Sequence, residues 1–159
     1  MEWLDLLRWL HVIGACVLIG TGAGIAFFMV MAHRTAIPSL IAHTAAVVVI
    51  ADLIFTASAA VIQPMSGALL AWGMGWPLTE GWIVLSLALY VLVGLFWLPV
   101  VYLQIQLRNE AADSATRGVG LSPRYHRLYK IWLACGLPAF TAILAIVWLM
   151  LTRPALIIL

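Results

Sequence analysis

The sequence predicts an all-α polytopic membrane protein, a four-transmembrane-helix bundle forming a single integral-membrane domain over residues 1–159. Two observations carry that reading. The chain is 65% hydrophobic and only 9% charged, where roughly a quarter of a soluble domain is charged. Its apolar residues gather into four runs, about 6–31, 39–63, 82–106 and 128–151, each near or above the ~20 residues that cross a bilayer core. These runs are continuous rather than alternating with period two, so they satisfy their backbone as helices and not as barrel strands. The lipid bilayer is therefore the expected partner, and nucleic acid is not.

The basic residues are placed unevenly. Arg34 lies between the first two runs, and Arg108, Arg117, Arg124, Arg127 and Lys130 lie around the third connection, while only Arg8 and Arg153 mark the other face. The positive-inside rule then puts both connections in the cytoplasm and both termini outside, in the periplasm for a bacterial inner membrane. Cys16 and Cys135 fall within spans and read as small packing residues. "VIGAC" resembles a lipoprotein cleavage site, but Glu2 and Asp5 stand where a signal peptide is basic, so Met1 onward reads as mature.

In the first run, "LRWLHVIGACVLIGTGAG", the residues His11, Ala15, Leu18 and Gly22 share one helical stripe, which should face the bundle. Gly14, Gly20, Gly22 and Gly24 thin that helix for close approach. Pro38 opens the second helix, along which Asp52, Thr56, Ala59, Gln63 and Ser66 recur at helical spacing; Pro64 is where it kinks or turns. The outer connection "SGALLAWGMGWPLTEGW" carries Trp72, Trp76 and Trp82 at interfacial depth. The third helix lines up Trp82, Ser86, Tyr90, Gly94 and Trp97 along one face, then Pro99, Gln104 and Gln106 towards the cytoplasm, a second inward polar and aromatic stripe. After it, the hydrophilic "RNEAADSATRGVGLSP" reads as a loop. The fourth helix begins near Pro123, with Tyr125, Tyr129, Trp132, Gly136 and Ala139 on one face.

Ionisable residues inside a membrane are functional by default, each costing roughly 2.5–3.5 kcal/mol at a helix centre on insertion scales. Two qualify, His11 and Asp52. His11 should lie roughly 10 Å and Asp52 roughly 16 Å below the outer face. An inward imidazole is a haem-iron ligand or the hydrogen-bonded tie between two helices. Under the haem reading Arg8 would pair a propionate, Tyr90, Trp82 and the glycine face would form a flat slot, and Met65 would be the second axial ligand. Asp52, with Thr56 and Gln63, is either a proton- or cation-handling group of a polar cavity or a structural one. His43 and His126, on the opposite side of the membrane, are candidates for a second metal or haem site, or contact headgroups.

The strings "WLHVIGA", "ADLIFTASAAVIQPMSG", "GWPLTEGW", "LYVLVGLFWLPVVYLQIQLR" and "GLPAFTAILAIVWLMLTRP" resemble the bacterial integral-membrane family of domain of unknown function 2269 along nearly the whole chain. More distantly, the opening "LH" followed by small residues is similar to the four-helix haem-binding protoporphyrinogen oxidase and the copper-resistance D membrane proteins. That resemblance implies haem ligation by His11. The oxidase's third helix holds a lysine, whereas the only lysine here is Lys130, so the resemblance extends to the cofactor and not to the reaction. The expected function is that of a b-type haem-binding inner-membrane protein with an electron-transfer or redox role. The alternatives are a metal-ion or small-solute transport or sensing module using Asp52 and His11, or an accessory subunit of a larger complex. Either a homo-oligomer or such a complex is compatible with the glycine face.

Overall fold

The computed structural model describes residues 2–156 and consists of helices long and apolar enough to cross a membrane: α1 (Glu2–Arg34), α2 (Pro38–Gly73), α3 (Gly81–Arg117) and α4 (Pro123–Thr152). They run up, down, up and down. The termini and the 74–80 connection share one end, here the terminal end, and the 35–37 and 118–122 connections share the other, the loop end. At the terminal end the Arg153 guanidinium lies 5.7 Å from the Trp76 ring centroid and 5.8 Å from that of Trp82.

The expected end of the second helix at Pro64 is not observed. The helix continues to Gly73, so Ser66 through Trp72 belong to α2 and not to the outer connection. Proline at position 64 has no N–H for the carbonyl four residues earlier, that of Ala60. The Tyr90 hydroxyl of α3 donates to that carbonyl, so the freed acceptor is satisfied and the helix has no need to break. The hydrophilic stretch 108–123 is likewise shorter as a loop than expected. α3 has 37 residues, roughly 55 Å at ~1.5 Å per residue, against a hydrocarbon core of about 30 Å. Its last turns therefore stand beyond the lipid, and they remain helical. An Arg117–Asp113 pair one turn apart supports them, and Gly118, in the left-handed region at φ 64°, ends the helix. The connection is closed by Ser122, which caps Tyr125 N–H and donates to Glu110, while Arg124 pairs with Glu110 at 3.1 Å.

Packing is uneven along the bundle. A single wide π-turn, Asp52–Thr56, interrupts α2 and changes which neighbours its two halves meet. On the loop side Pro38–Ala51 packs against both α1 and α3; on the terminal side Ala57–Gly73 packs chiefly on α1. The contiguous core lies in the loop half, where Met29, Ile41, Ala45, Leu107, Ala111 and Tyr125 are fully enclosed. In the terminal half the closest packing is within two pairs, α1 with α2 and α3 with α4. Pairs that part above a tight core leave space between them.

Candidate functional site

That space is a cavity of about 500 Å³, within the range of small-molecule sites. Its shape comes from withheld side chains. A Cβ added at Gly94 of α3 or Gly136 of α4 would meet nothing within 4 Å, and one at Gly22 of α1 would only touch Phe140 at 3.6 Å. The wall is mostly apolar, and Val61, Leu98 and Leu137 along it remain 62%, 63% and 61% exposed. The mouth therefore opens sideways, towards hydrocarbon rather than water.

Four polar groups break the apolar wall. Asp52 is only 3% exposed; its Oδ1 accepts from Trp97 Nε1–H at 3.2 Å, and its Oδ2 has no partner. Thr56 Oγ1, one turn from the Asp52 carboxyl group and within its hydrogen-bonding reach, Gln104 Oε1 and Trp132 Nε1 also lack a formed hydrogen bond, and all four residues line this one cavity, whereas a fifth such atom, Gln63 Oε1, lies outside it. Buried polar atoms are nearly always hydrogen-bonded, so the clustering of these four needs a reason.

The other expected site residues are elsewhere. His11 and Gln63 lie in the seam between α1 and α2, not in the cavity with Asp52 and Thr56. Ser66 donates its hydroxyl to the Ile62 carbonyl at 2.8 Å, so its oxygen accepts from His11 Nδ1–H at 2.8 Å and leaves the lone pair on Nε2. This is the ligating tautomer. The helices approach closely there, however: a Cβ at Gly67 would stand 3.2 Å from His11 Cε1 and one at Gly14 3.0 Å from Gln63 Oε1, and the hollow that Gly14 lines in this seam, about 160 Å³, is not lined by His11. These glycines serve helix approach and do not form a slot.

Nor do the other haem-reading residues converge on His11. Arg8 is exposed, 3.4 Å from Asp5 and 4.0 Å from Met74 Sδ. Met65 is 62% exposed on the outside of α2. Trp82 stands edge-on to Trp76 beneath Arg153, and Tyr90 lines the cavity with its hydroxyl on Ala60. His11 thus has a suitable nitrogen, but the space beside it does not fit a haem plane.

At the loop end, His43 is exposed and His126 meets His33 instead, with ring centroids 5.9 Å apart. His33 stacks on Tyr129 at 3.7 Å, and its Nδ1 lies 3.3 Å from the Tyr125 hydroxyl. Among the described residues no three His, Cys, Asp or Glu side chains gather as metal ligands.

Sequence reading put Trp97, Gln104 and Trp132 on inward stripes without assigning them to a site. The available signal was that Gly22, Gly94 and Gly136 lie on those same stripes, near the middle of three helices.

The family model described as predicted integral membrane protein (DUF2269) matches residues 5–154. The chain belongs to this family. No curated protein and no solved structure matches the chain. Membership in the DUF2269 family agrees with the four apolar helices and makes this an integral membrane protein in contact with the bilayer; it brings no activity with it.

Proposed function

We propose that the protein binds a lipid-soluble small molecule in the cavity enclosed by the four helices, taken in sideways from the hydrocarbon. Transport or sensing of that molecule is the function this binding would serve. The observation that carries the reading is the set of four buried, unpartnered polar atoms on Asp52, Thr56, Gln104 and Trp132, all lining one otherwise apolar space. A ligand's polar end would satisfy them, and its apolar body would fill the volume that Gly94 and Gly136 leave open. On the charge asymmetry of the two ends, the loop end is the cytoplasmic one and the termini are periplasmic, in a bacterial inner membrane.

A second reading keeps b-type haem on His11. What favours it is the tautomer fixed by Ser66, which leaves Nε2 free to ligate; a shift of α2 away from α1 would be required to admit the ring. One experiment separates the two. Protein purified in lipid nanodiscs is extracted with organic solvent and the extract compared by mass spectrometry between wild type and Gly94→Leu, which fills the cavity. The proposal expects a stoichiometric lipid-soluble compound from wild type that the variant lacks; identical extracts would overturn it. A reduced-minus-oxidised spectrum with a Soret shift and α band, lost in His11→Ala, would establish the haem reading instead.

A further inference from the structure

Resting on the cavity reading above, the geometry points to a lipophilic organic cation, an amine in its ammonium form, as the class of molecule the site takes. The argument is one of charge. Asp52 is the one carboxyl group in the cavity wall, 3% exposed, and Trp97 N–H is its single cross-helix donor, on Oδ1. Among the described residues the ion pairs engage Asp5, Asp113 and Glu110 near the bundle ends; none engages Asp52. Among the described residues no lysine, arginine or histidine lines the cavity. A carboxyl group buried without a counter-charge keeps its proton, and a lipophilic amine that enters beside it can take that proton, so that carboxylate and ammonium form together as an ion pair. A basic ligand group is therefore the partner against which Asp52 ionises.

The aromatic lining agrees with a cation. Tyr90 and Trp97 from α3 and Trp132 and Phe140 from α4 bound the same space as Asp52, and π faces attract ammonium groups most where water is excluded. The sideways opening past Val61, Leu98 and Leu137 selects for an apolar body, because the approach lies through hydrocarbon. A neutral quinone-like molecule would satisfy Trp132 N–H and Thr56 and leave the Asp52 carboxyl group without a basic partner.

The test compares 1-adamantanamine with 1-adamantanol, which share a shape and differ in charge. Equilibrium binding of each labelled compound is measured on the full chain in lipid nanodiscs, for wild type, Asp52→Asn and Gly94→Leu. The expected result is saturable binding of the amine, about tenfold or more tighter than of the alcohol, weakened about 30-fold or more by Asp52→Asn and abolished by Gly94→Leu. Equal binding of amine and alcohol, or amine binding that Asp52→Asn leaves intact, would overturn the cation assignment while the cavity reading stands. Binding of neither compound to folded wild type would overturn both. Should Asp52→Asn fail to fold, the amine-to-alcohol ratio in wild type decides alone.

Discussion

Replacing Asp52 by asparagine should stabilise the ligand-free protein. An aspartate near a helix centre carries an insertion cost of roughly 2.5–3.5 kcal/mol, and here the side chain is 3% exposed with one oxygen unpartnered. Asparagine keeps an oxygen to accept from Trp97 Nε1–H, so the 3.2 Å hydrogen bond across to α3 survives. Its amide N–H₂ faces the same turn as Thr56, whose hydroxyl is itself without a partner. One cross-helix bond is retained and a group that can ionise is replaced by one that cannot, so the net gain is about 1 kcal/mol, because the amide carries a burial cost of its own. For a chain of this size that is a rise in melting temperature of about 2–4 °C. The assay is thermal unfolding in detergent followed by circular dichroism, on ligand-free wild type and variant. A loss of more than about 1 kcal/mol would mean that Asp52 is a structural tie, and it would refute the argument that its burial serves a ligand.

Other substitutions test the packing that frames the cavity. Gly94→Ala and Gly136→Ala should be neutral or stabilising by up to about 1 kcal/mol, because an added methyl meets nothing and helix propensity improves. Gly14→Ala, whose methyl would press on the Gln63 side chain at 3.0 Å, should cost about 1–3 kcal/mol; denaturation midpoints in matched detergent separate the two classes. Tyr90→Phe should cost about 1–3 kcal/mol by orphaning the Ala60 carbonyl, and spin-label distances across Pro64 should show α2 bending where it now runs on. Ser66→Ala removes the acceptor for His11 Nδ1–H, so ring-nitrogen NMR shifts of His11 should move from a single tautomer towards a mixture.

The inward faces of all four helices were legible because helical spacing is strict. Asp52, Thr56, Ala59, Gln63 and Ser66 were read as one stripe, and every one of them is buried. Pro38 and Pro123 likewise open their helices as expected. The end of α2 was not legible, since whether Pro64 breaks a helix depends on a tyrosine 26 positions away in α3. The site was only half legible for a related reason. Spacing gives the face of a residue but not the rotation of its helix against its neighbours. Tyr90 was accordingly grouped with His11 and Gln63 with Asp52, whereas the structure exchanges them. The π-turn at Asp52–Thr56 has no signature in the sequence, and it lies where the neighbours of α2 change and in the wall of the cavity. Asp52 stood out as functional by its chemistry, and the volume beside it emerged only from the packing.

Photolabelling would test the cavity most directly. An adamantyl diazirine is activated on the protein in nanodiscs, with and without excess 1-adamantanamine, and labelled residues are mapped by peptide sequencing. Binding in the cavity predicts that the competitor removes label from Trp97, Gly136 and Phe140, which line the space, and leaves label on the lipid-facing Phe27 and Phe28. Label on those outer rings alone, with nothing that the competitor protects, would contradict it.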